Sequence, residues 1–213
     1  MLDVGDGHTI YVHDWGNRDA KNPIMVLHGG PGYGFADRHK RRFDPTKQRI
    51  IFHDQRGVGK STPHGSLEHN TTDKLVDDVE KIADKLGLKQ FILTGGSWGS
   101  TLALAYTLKY PKRVKTLVIQ GIFTGSEQET MYITNGLYRT HFPEIWQRFV
   151  DSVPQKYRTN PKAYHSKRLF GSDRQAVIEA AKAIELVEGP LLSLDDRHNP
   201  QFAEEYDPSP AQI

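Results

Sequence analysis

The chain has 213 residues, and its 28 lysines and arginines against 26 aspartates and glutamates leave a formal net charge of +2. That balance is too mild to favour nucleic acid or an anionic membrane as a partner, and we expect neither. The absence of cysteine excludes disulfides, thiol catalysis and thiolate metal sites. The N-terminus lacks the parts of a signal peptide and no apolar run could span a membrane, so we expect a cytoplasmic protein.

The first 124 residues alternate between strand and helix patterns. Residues 9–13 read as an early strand, and short apolar runs follow at 24–27, 50–52, 91–93 and 114–119. Such runs are typical of strands buried on both faces of a parallel sheet. Helical spacing fills the intervals, over 75–86 with Gly87 as the C-cap and over 101–110. This order predicts an α/β sheet with flanking helices.

Beyond residue 124 the strand runs stop and helical patterns follow. Three helices are predicted, over 127–140, 143–150 and 173–187, with Pro143 in a first turn and Asp173 as an N-cap. The tail from residue 195 onward is rich in proline and reads as irregular. We therefore expect residues 1–124 to form the N-terminal part of an α/β core and residues 125–213 to form a helical cap, or lid.

The strongest chemical signal is Gly95-Gly96-Ser97-Trp98-Gly99, which follows a predicted strand and opens a predicted helix. A G-x-S-x-G sequence in that context predicts a nucleophile elbow, whose sharp turn needs small neighbours and raises the serine hydroxyl above the sheet. The helix N-terminus then faces the negative charge that develops in the reaction. Ser97 is the predicted nucleophile, and the alternative is a glycine-rich turn with an incidental serine.

A second signal, His28-Gly29-Gly30-Pro31-Gly32, follows the apolar run at 24–27. Glycines let backbone N–H groups approach a substrate closely, as an oxyanion hole requires. In α/β hydrolases one N–H comes from the residue after the nucleophile, here Trp98, and the other from an earlier loop, here Gly30. The alternative is a simple Gly/Pro turn, and His28 itself is expected to be a structural hydrogen bonder.

A third segment, residues 54–61, contains glycines, a lysine and a serine that invite comparison with a phosphate-binding loop. Gly57 stands two residues before Gly59, where G-x-x-x-x-G-K-[ST] requires five, so nucleotide binding has little support. We expect a charged turn instead, in which Asp54 and Arg56 organise the loops beside the site.

These motifs together resemble the proline iminopeptidases (prolyl aminopeptidases) of the α/β-hydrolase superfamily. The resemblance rests on HGGPG, DQRGVGKSTPHGSLEHNTT, GGSWGSTLALAY and GIFTGSEQE in that order, and it continues to VEGPLL at 187–192. It implies release of an N-terminal proline from peptides through an acyl-enzyme, with no metal and no cofactor. It implies that Ser97 is the nucleophile and that Gly30 and Trp98 carry the oxyanion-hole N–H groups. It also implies that Glu188 binds the substrate's free ammonium.

The catalytic acid and base do not fit this pattern. The superfamily order is Ser, then Asp or Glu, then His, each partner on a loop after a later core strand. After Ser97 only residues 114–119 read as a strand. The later histidines, in helical or irregular sequence, are His141, His165 and His198. Asp195 or Asp196 with His198 satisfies the order only formally, within one short loop. We therefore expect the C-terminal part of the core to be missing and a complementing C-terminal segment or chain to supply the triad Asp and His.

Three functions stay open on the sequence. The leading one is a serine exopeptidase that releases N-terminal proline, and the second is an esterase or amidase with the same machinery and another acyl group. The third is a non-catalytic binding protein that kept the elbow and lost the base. A dehalogenase or epoxide hydrolase with an Asp nucleophile is disfavoured because the elbow carries Ser97. A small acyl pocket beside an ammonium site would separate the first two, and only Glu188 indicates one here.

Overall fold

The structure, a computed structural model, describes residues 1–192, apart from the side chains of residues 134, 135 and 189–192. The chain divides into two compact units, the first ending at Gly125 and the second beginning at Ser126. Within the described residues, none of the helices combines the length and the apolar character needed to cross a membrane.

Strands appear in the first unit, and they are β1 (Leu2–Gly5), β2 (His8–Ile10), β3 (Val12–Gly16), β4 (Ile24–Leu27), β5 (Arg49–His53), β6 (Phe91–Ser97) and β7 (Val114–Ile122). Five of them form one sheet in the order β3-β5-β4-β6-β7. β5, β4, β6 and β7 run parallel, and β3 pairs antiparallel with β5. The expected α/β fold with a mostly parallel sheet is confirmed.

One expected strand is divided in two. The sequence predicts a single strand over 9–13, whereas β2 ends at Ile10 and β3 begins at Val12. β2 pairs with β1 as a separate hairpin. Tyr11, which lies between β2 and β3, donates its N–H to Ser61 Oγ at 2.9 Å. The alternating side chains continue across this break, which is why the pattern reads as one strand.

Two helices of the first unit, α1 (Thr72–Lys85) and α2 (Trp98–Lys109), share one core with the sheet. The strands contribute fully buried side chains such as Met25, Ile51 and Leu93, and α1 adds its apolar stripe to the same cluster. These strand side chains therefore point to the face of the sheet that the helices cover. The residues next to them along each strand point to the opposite face.

Helix α1 ends as the sequence predicts. Its C-cap is Leu86, and Gly87 follows with φ +66°, a left-handed conformation that glycine adopts without strain. The N–H of Leu88 donates to Ala83 O at 2.8 Å and the N–H of Gly87 donates to Asp84 O at 3.1 Å. These two bonds satisfy carbonyls at the end of the helix in a Schellman motif.

Strand β7 carries two exposed apolar side chains. Val118 is 54% exposed and Ile122 is 59% exposed, and β7 is an edge of the sheet in this unit. Val118 pairs in register with Thr94, which pairs with Val26, so these residues lie on the face opposite Leu93. Parallel sheets are normally covered on both faces, so this face and edge offer room for further elements.

The second unit is helical. Its elements are α3 (Glu127–Met131), a π-helical stretch (Tyr132–Leu137), α4 (Tyr138–His141), α5 (Pro143–Asp151), α6 (Pro161–Leu169) and α7 (Arg174–Leu192). The three predicted helices are found, and the last one extends to Leu192. Asp173 Oδ1 accepts the N–H of Ala176 at 3.2 Å, which confirms it as the N-cap of α7. A small core forms around Tyr138, Phe149 and Val187.

Helix α6 is a helix that the sequence analysis does not predict. Its residues, PKAYHSKRL, lack a continuous apolar stripe, so a search for helical periodicity passes over them. The start is nevertheless well specified, because Asn160 Oδ1 accepts the N–H of Ala163 at 3.1 Å and Pro161 occupies the first turn. The Asn-Pro pair was the signal available in the sequence.

Candidate active site

Ser97 lies on a sharp turn between β6 and α2. Its backbone has φ +52° and ψ −126°, a strained conformation for a residue with a side chain, and the residue is exposed. A Cβ placed on Gly95 would lie 2.2 Å from Gly99 O, and one placed on Gly99 would lie 2.3 Å from Leu27 O. The two outer glycines of the motif are therefore required by backbone-to-backbone contact, and the local geometry is that of a nucleophile elbow.

A cavity of about 660 Å³ opens beside Ser97 at the carboxyl ends of the parallel strands. Its wall includes the aromatic side chains of Phe35, Phe43 and Phe52, and its rim includes Arg42. Phe35 stacks on Phe52 with ring centroids 4.4 Å apart, and Phe43 meets Phe52 edge-on at 5.8 Å. In open α/β sheets this end of the strands is where ligands bind.

The glycine-rich loop passes directly beside the nucleophile. A Cβ placed on Gly29 would lie 3.6 Å from Ser97 Cβ and 3.0 Å from Gly96 O. His28 Nδ1 donates to Gly29 O at 2.9 Å, and in a trans peptide the next N–H points opposite to that carbonyl. The bond from His28 thus fixes the peptide plane that carries the Gly30 N–H, and Trp98, the other residue expected to provide an N–H, is the first residue of α2.

His28 is a structural hydrogen bonder, as expected. It is buried, and besides its bond to Gly29 O it accepts the N–H of Gln55 on Nε2 at 3.1 Å. Because Nε2 accepts an N–H and Nδ1 faces a carbonyl, the hydrogen bonds place the ring proton on Nδ1, and burial lowers the pKa of His28 below its usual value. Moving the ring proton from Nδ1 to Nε2 would break both of these hydrogen bonds.

Asp54 and Arg56 anchor the loop after β5, which confirms the expectation for this segment. Asp54 Oδ1 accepts the N–H of Phe35 at 2.6 Å, and its Oδ2 accepts the N–H of Lys60 at 2.8 Å. Arg56 is 1% exposed and binds Asp78 through two hydrogen bonds of 2.6 and 2.8 Å. The residue between these anchors, Gln55, was not selected from the sequence.

His53 is a buried histidine in the wall of the same cavity. Burial lowers its pKa to about 3, with a smaller contribution from His28, whose ring lies 6.3 Å away. Its Nδ1 has no hydrogen-bond partner in the described part of the chain. The folded protein therefore holds His53 neutral over a pH range in which an unfolded chain would protonate it.

We expect acid to destabilise the first unit through this residue. Because the pKa of His53 is lower in the folded state, the unfolded chain binds the proton first, and the free energy of unfolding falls as pH drops from about 6.5 towards 3. His53→Leu removes the group, so its urea midpoint should depend less on pH than that of the wild type between pH 7 and pH 4. The exposed His64 gives the control His64→Leu. Parallel pH profiles for wild type and His53→Leu would contradict the assignment.

Among the described residues of the first unit, no side chain is hydrogen-bonded to Ser97 Oγ, so these residues do not include a base in contact with the predicted nucleophile. In the second unit His141 contacts Tyr132 OH at 3.2 Å. His165 is buried there, 3.1 Å from Ser152 Oγ and stacked on Phe149. The other candidates, Asp195, Asp196 and His198, lie outside the described residues.

Glu188 lies near the end of α7 in the second unit, with an exposed side chain. It lines a small cavity together with Tyr138, Trp146 and Lys162. Burial and the Glu188 charge raise the pKa of Tyr138 to about 12, and burial followed by the same charge raises the pKa of Glu185. The Glu188 carboxylate therefore lies beside aromatic rings in a cavity that also contains the Lys162 side chain.

Comparisons with known proteins agree with this geometry. Residues 22–199 match the family model described as alpha/beta hydrolase fold. The chain is 44% identical over 184 residues to the proline iminopeptidase of Arabidopsis thaliana, covering 85% of this chain and 48% of that protein. It is 40% identical over 210 residues to the proline iminopeptidase of Xylella fastidiosa (strain Temecula1 / ATCC 700964), covering 95% of this chain and 67% of that protein.

Among solved structures, the proline iminopeptidase of Mycobacterium smegmatis superposes with a TM-score of 0.58 at 21% identity. The match covers 88% of this chain and 67% of that one, and it supports the fold alone. The chain spans 48% of the Arabidopsis thaliana relative and 64% of a probable proline iminopeptidase of Leptolyngbya boryana. With its elbow, its glycine loop and its sheet order, the chain belongs to the α/β-hydrolase fold family and, within it, to the proline iminopeptidase family.

Proposed function

We propose that this chain carries the nucleophile and the oxyanion hole of a serine aminopeptidase that releases N-terminal proline from peptides. The observation that carries the proposal is the strained Ser97 elbow packed against the loop 28–32 at the mouth of a cavity. The similarity to proline iminopeptidases supports the choice of substrate. The proposed substrates are peptides with a free N-terminal proline, and the proposed location of the reaction is the cytoplasm.

In the proposed reaction Ser97 Oγ attacks the carbonyl carbon of the N-terminal proline. The carbonyl oxygen becomes an anion, and the N–H groups of Gly30 and Trp98 stabilise it together with the N-terminus of α2. A base takes the Ser97 proton and returns it to the leaving amine, which breaks the peptide bond and leaves a prolyl ester on Ser97. Water activated by the same base then releases proline and restores the hydroxyl.

The acid and the base come, in this proposal, from a complementing C-terminal segment. Two features of the first unit support it: β7 presents a sheet edge, and Val118 is exposed on the face opposite Leu93. Strands added beyond β7 would pair with this edge, their connecting helices would cover the exposed face, and the loops that carry Asp and His would lie at the same end of the sheet as Ser97. The greater length of the relatives is consistent with such a segment.

Selectivity for proline is proposed to arise at two places. The aromatic wall formed by Phe35, Phe43 and Phe52 suits a compact apolar ring. Glu188, as part of a helical cap over residues 125–213, is proposed to bind the ammonium of the free N-terminus. A carboxylate that pairs with that single charge rejects blocked and internal residues, because they leave it without a partner.

Glu188→Gln tests both the substrate and this role. In the form of the protein that hydrolyses proline amides, we expect kcat/KM for free-amine substrates to fall roughly 10- to 150-fold, the value of one charge-assisted hydrogen bond. Hydrolysis of N-acetylproline esters should change little, because they have no ammonium. Glu179→Gln on the same helix, where Glu179 pairs with Arg168, is the matched control.

Equal losses on both substrate types would contradict the ammonium role of Glu188. A wild-type protein that prefers N-blocked esters over proline amides would contradict the proposed function itself and would favour an esterase with the same machinery.

A further inference from the structure

We propose that Gln55 is a positioning residue that ties the two halves of the oxyanion hole together. The inference rests on the proposed function, because it assigns Gln55 a role in the site built from Gly30, Ser97 and Trp98. Gln55 touches neither the nucleophile nor the reacting atoms, and it acts through the residues that it holds.

Three hydrogen bonds link Gln55 to both halves. Its side-chain Oε1 accepts the indole N–H of Trp98 at 3.0 Å, and its Nε2 donates to His28 O at 3.0 Å. Its backbone N–H donates to His28 Nε2 at 3.1 Å. An indole N–H only donates and a carbonyl only accepts, so these partners fix which end of the amide faces each of them.

The chain of contacts continues to the Gly30 N–H. His28 accepts from Gln55 on one ring nitrogen and donates from the other to Gly29 O, whose peptide plane sets the direction of the Gly30 N–H. A change at Gln55 therefore reaches the glycine loop through His28 and the elbow through Trp98. Gln55 is the residue at which the two paths meet.

Gln55 is itself rigidly held. It is 4% exposed, and its chain neighbours are the two anchors of the loop after β5. Asp54 accepts two backbone N–H groups, and Arg56 is paired with Asp78. Because its backbone is held in this way, the Gln55 side chain can keep Trp98 and His28 in place. On a mobile loop it would move with them instead.

The two halves also meet through their backbones. A Cβ placed on Gly99 would lie 2.3 Å from Leu27 O and 3.0 Å from His28 O, so the first turn of α2 packs on the end of β4. That contact sets the distance between the halves, and the Gln55 amide sets their rotation. The amide of Gln55 makes both bonds at once, because its oxygen accepts from Trp98 and its nitrogen donates to His28 O.

Oxyanion stabilisation depends on this kind of support. Its donors must stand where charge develops before the reaction begins, and a misplacement of about 1 Å costs about 100-fold in rate. A loosened Gln55 should therefore lower kcat and leave the ground-state binding of the substrate nearly unchanged.

The first test uses the 213-residue chain and the hydrogen exchange of its indole N–H groups. Gln55→Met keeps the length of the side chain and removes both hydrogen bonds, so exchange at the Trp98 indole should speed up at least about tenfold. The indoles of Trp15 and Trp146 serve as internal references, and the exposed Gln90 gives the matched control Gln90→Met. An unchanged Trp98 indole, or an equal increase at all three indoles, would overturn the inference.

The second test uses the protein in the form that hydrolyses proline amides. Gln55→Met should lower kcat by about 10- to 100-fold with KM within about twofold of the wild type. Trp98→Phe removes the indole donor and keeps the ring, so it should cause a loss of the same kind. The double variant should be no slower than the slower single variant, because both changes remove the same hydrogen bond between Gln55 and Trp98.

The outcomes separate the inference from the proposed function. A wild-type protein without activity on proline amides would contradict the function, while indole exchange would still decide whether Gln55 holds Trp98. An unchanged kcat in Gln55→Met, a change in KM alone, or additive losses in the double variant would overturn the positioning role and leave the function intact.

Discussion

Replacing Ser97 by alanine is expected to lower kcat on proline amides by at least about 10³-fold, as the loss of a catalytic nucleophile does. Alanine keeps the Cβ, so the strain of φ +52° and ψ −126° stays the same, and the free energy of unfolding should change by less than about 0.5 kcal/mol. The measurements are steady-state hydrolysis of proline amides and urea unfolding of the same preparation. More than a tenth of the wild-type kcat would rule Ser97 out as the nucleophile.

Ser97→Gly is the matched variant that separates strain from chemistry. Glycine adopts φ +52° and ψ −126° without penalty, so this variant should be equally inactive and about 1 kcal/mol more stable than Ser97→Ala. The control is Ser66→Ala, in a loop away from the elbow. It should leave hydrolysis of proline amides unchanged, and also the reaction of Ser97 with a serine-reactive phosphonate. A less stable Ser97→Gly would show that the elbow is not strained.

Adding the C-terminal segment that we propose as the source of the acid and base is expected to accelerate labelling of Ser97 by a serine-reactive phosphonate at least about 10³-fold. Without a base the Ser97 hydroxyl is a weak nucleophile at neutral pH, although the elbow and the loop 28–32 are both formed. The experiment compares residues 1–213 alone with the same chain co-expressed with a segment of roughly a hundred residues that carries two strands, then Asp and His.

A segment whose histidines are replaced by alanine is the control. It should still pair with the β7 edge and reduce self-association of the chain, and it should not accelerate labelling, because the sheet is completed without the base. Fast labelling of Ser97 in the isolated, monomeric 213-residue chain would contradict the proposal. His198 would then be the first residue to replace.

The local turns of this protein were predictable from short stretches of sequence. The Gly95-to-Gly99 elbow and the Gly87 cap depend on backbone conformations and close approaches that only glycine allows, so a few neighbouring residues determine them. The α/β class followed in the same way, since continuous apolar runs indicate strands covered on both faces. The Asp54 and Arg56 anchors were expected because the segment does not have the spacing of a phosphate-binding loop, which leaves a charged turn as its interpretation.

The prediction was less complete where the pattern was weak or the contacts were distant. The break at Tyr11 and the start of α6 involve hydrogen bonds, among them those from Tyr11 to Ser61 and from Ala163 to Asn160, that leave the apolar periodicity unchanged. Glu188 was selected through the VEGPLL resemblance, and its side chain is exposed in the second unit.

By itself the sequence determined the elbow at Ser97 and the glycine loop before it, because each is encoded within a few consecutive residues, and it determined the fold class through the alternation of strand and helix patterns over residues 1–124. Only the tertiary structure decided that Gln55 joins His28 and Trp98, which lie 27 and 43 positions away along the chain. Such contacts depend on the strand order, which places β4 between β5 and β6. Strand order results from packing over the whole sheet, and no local pattern in the sequence specifies it.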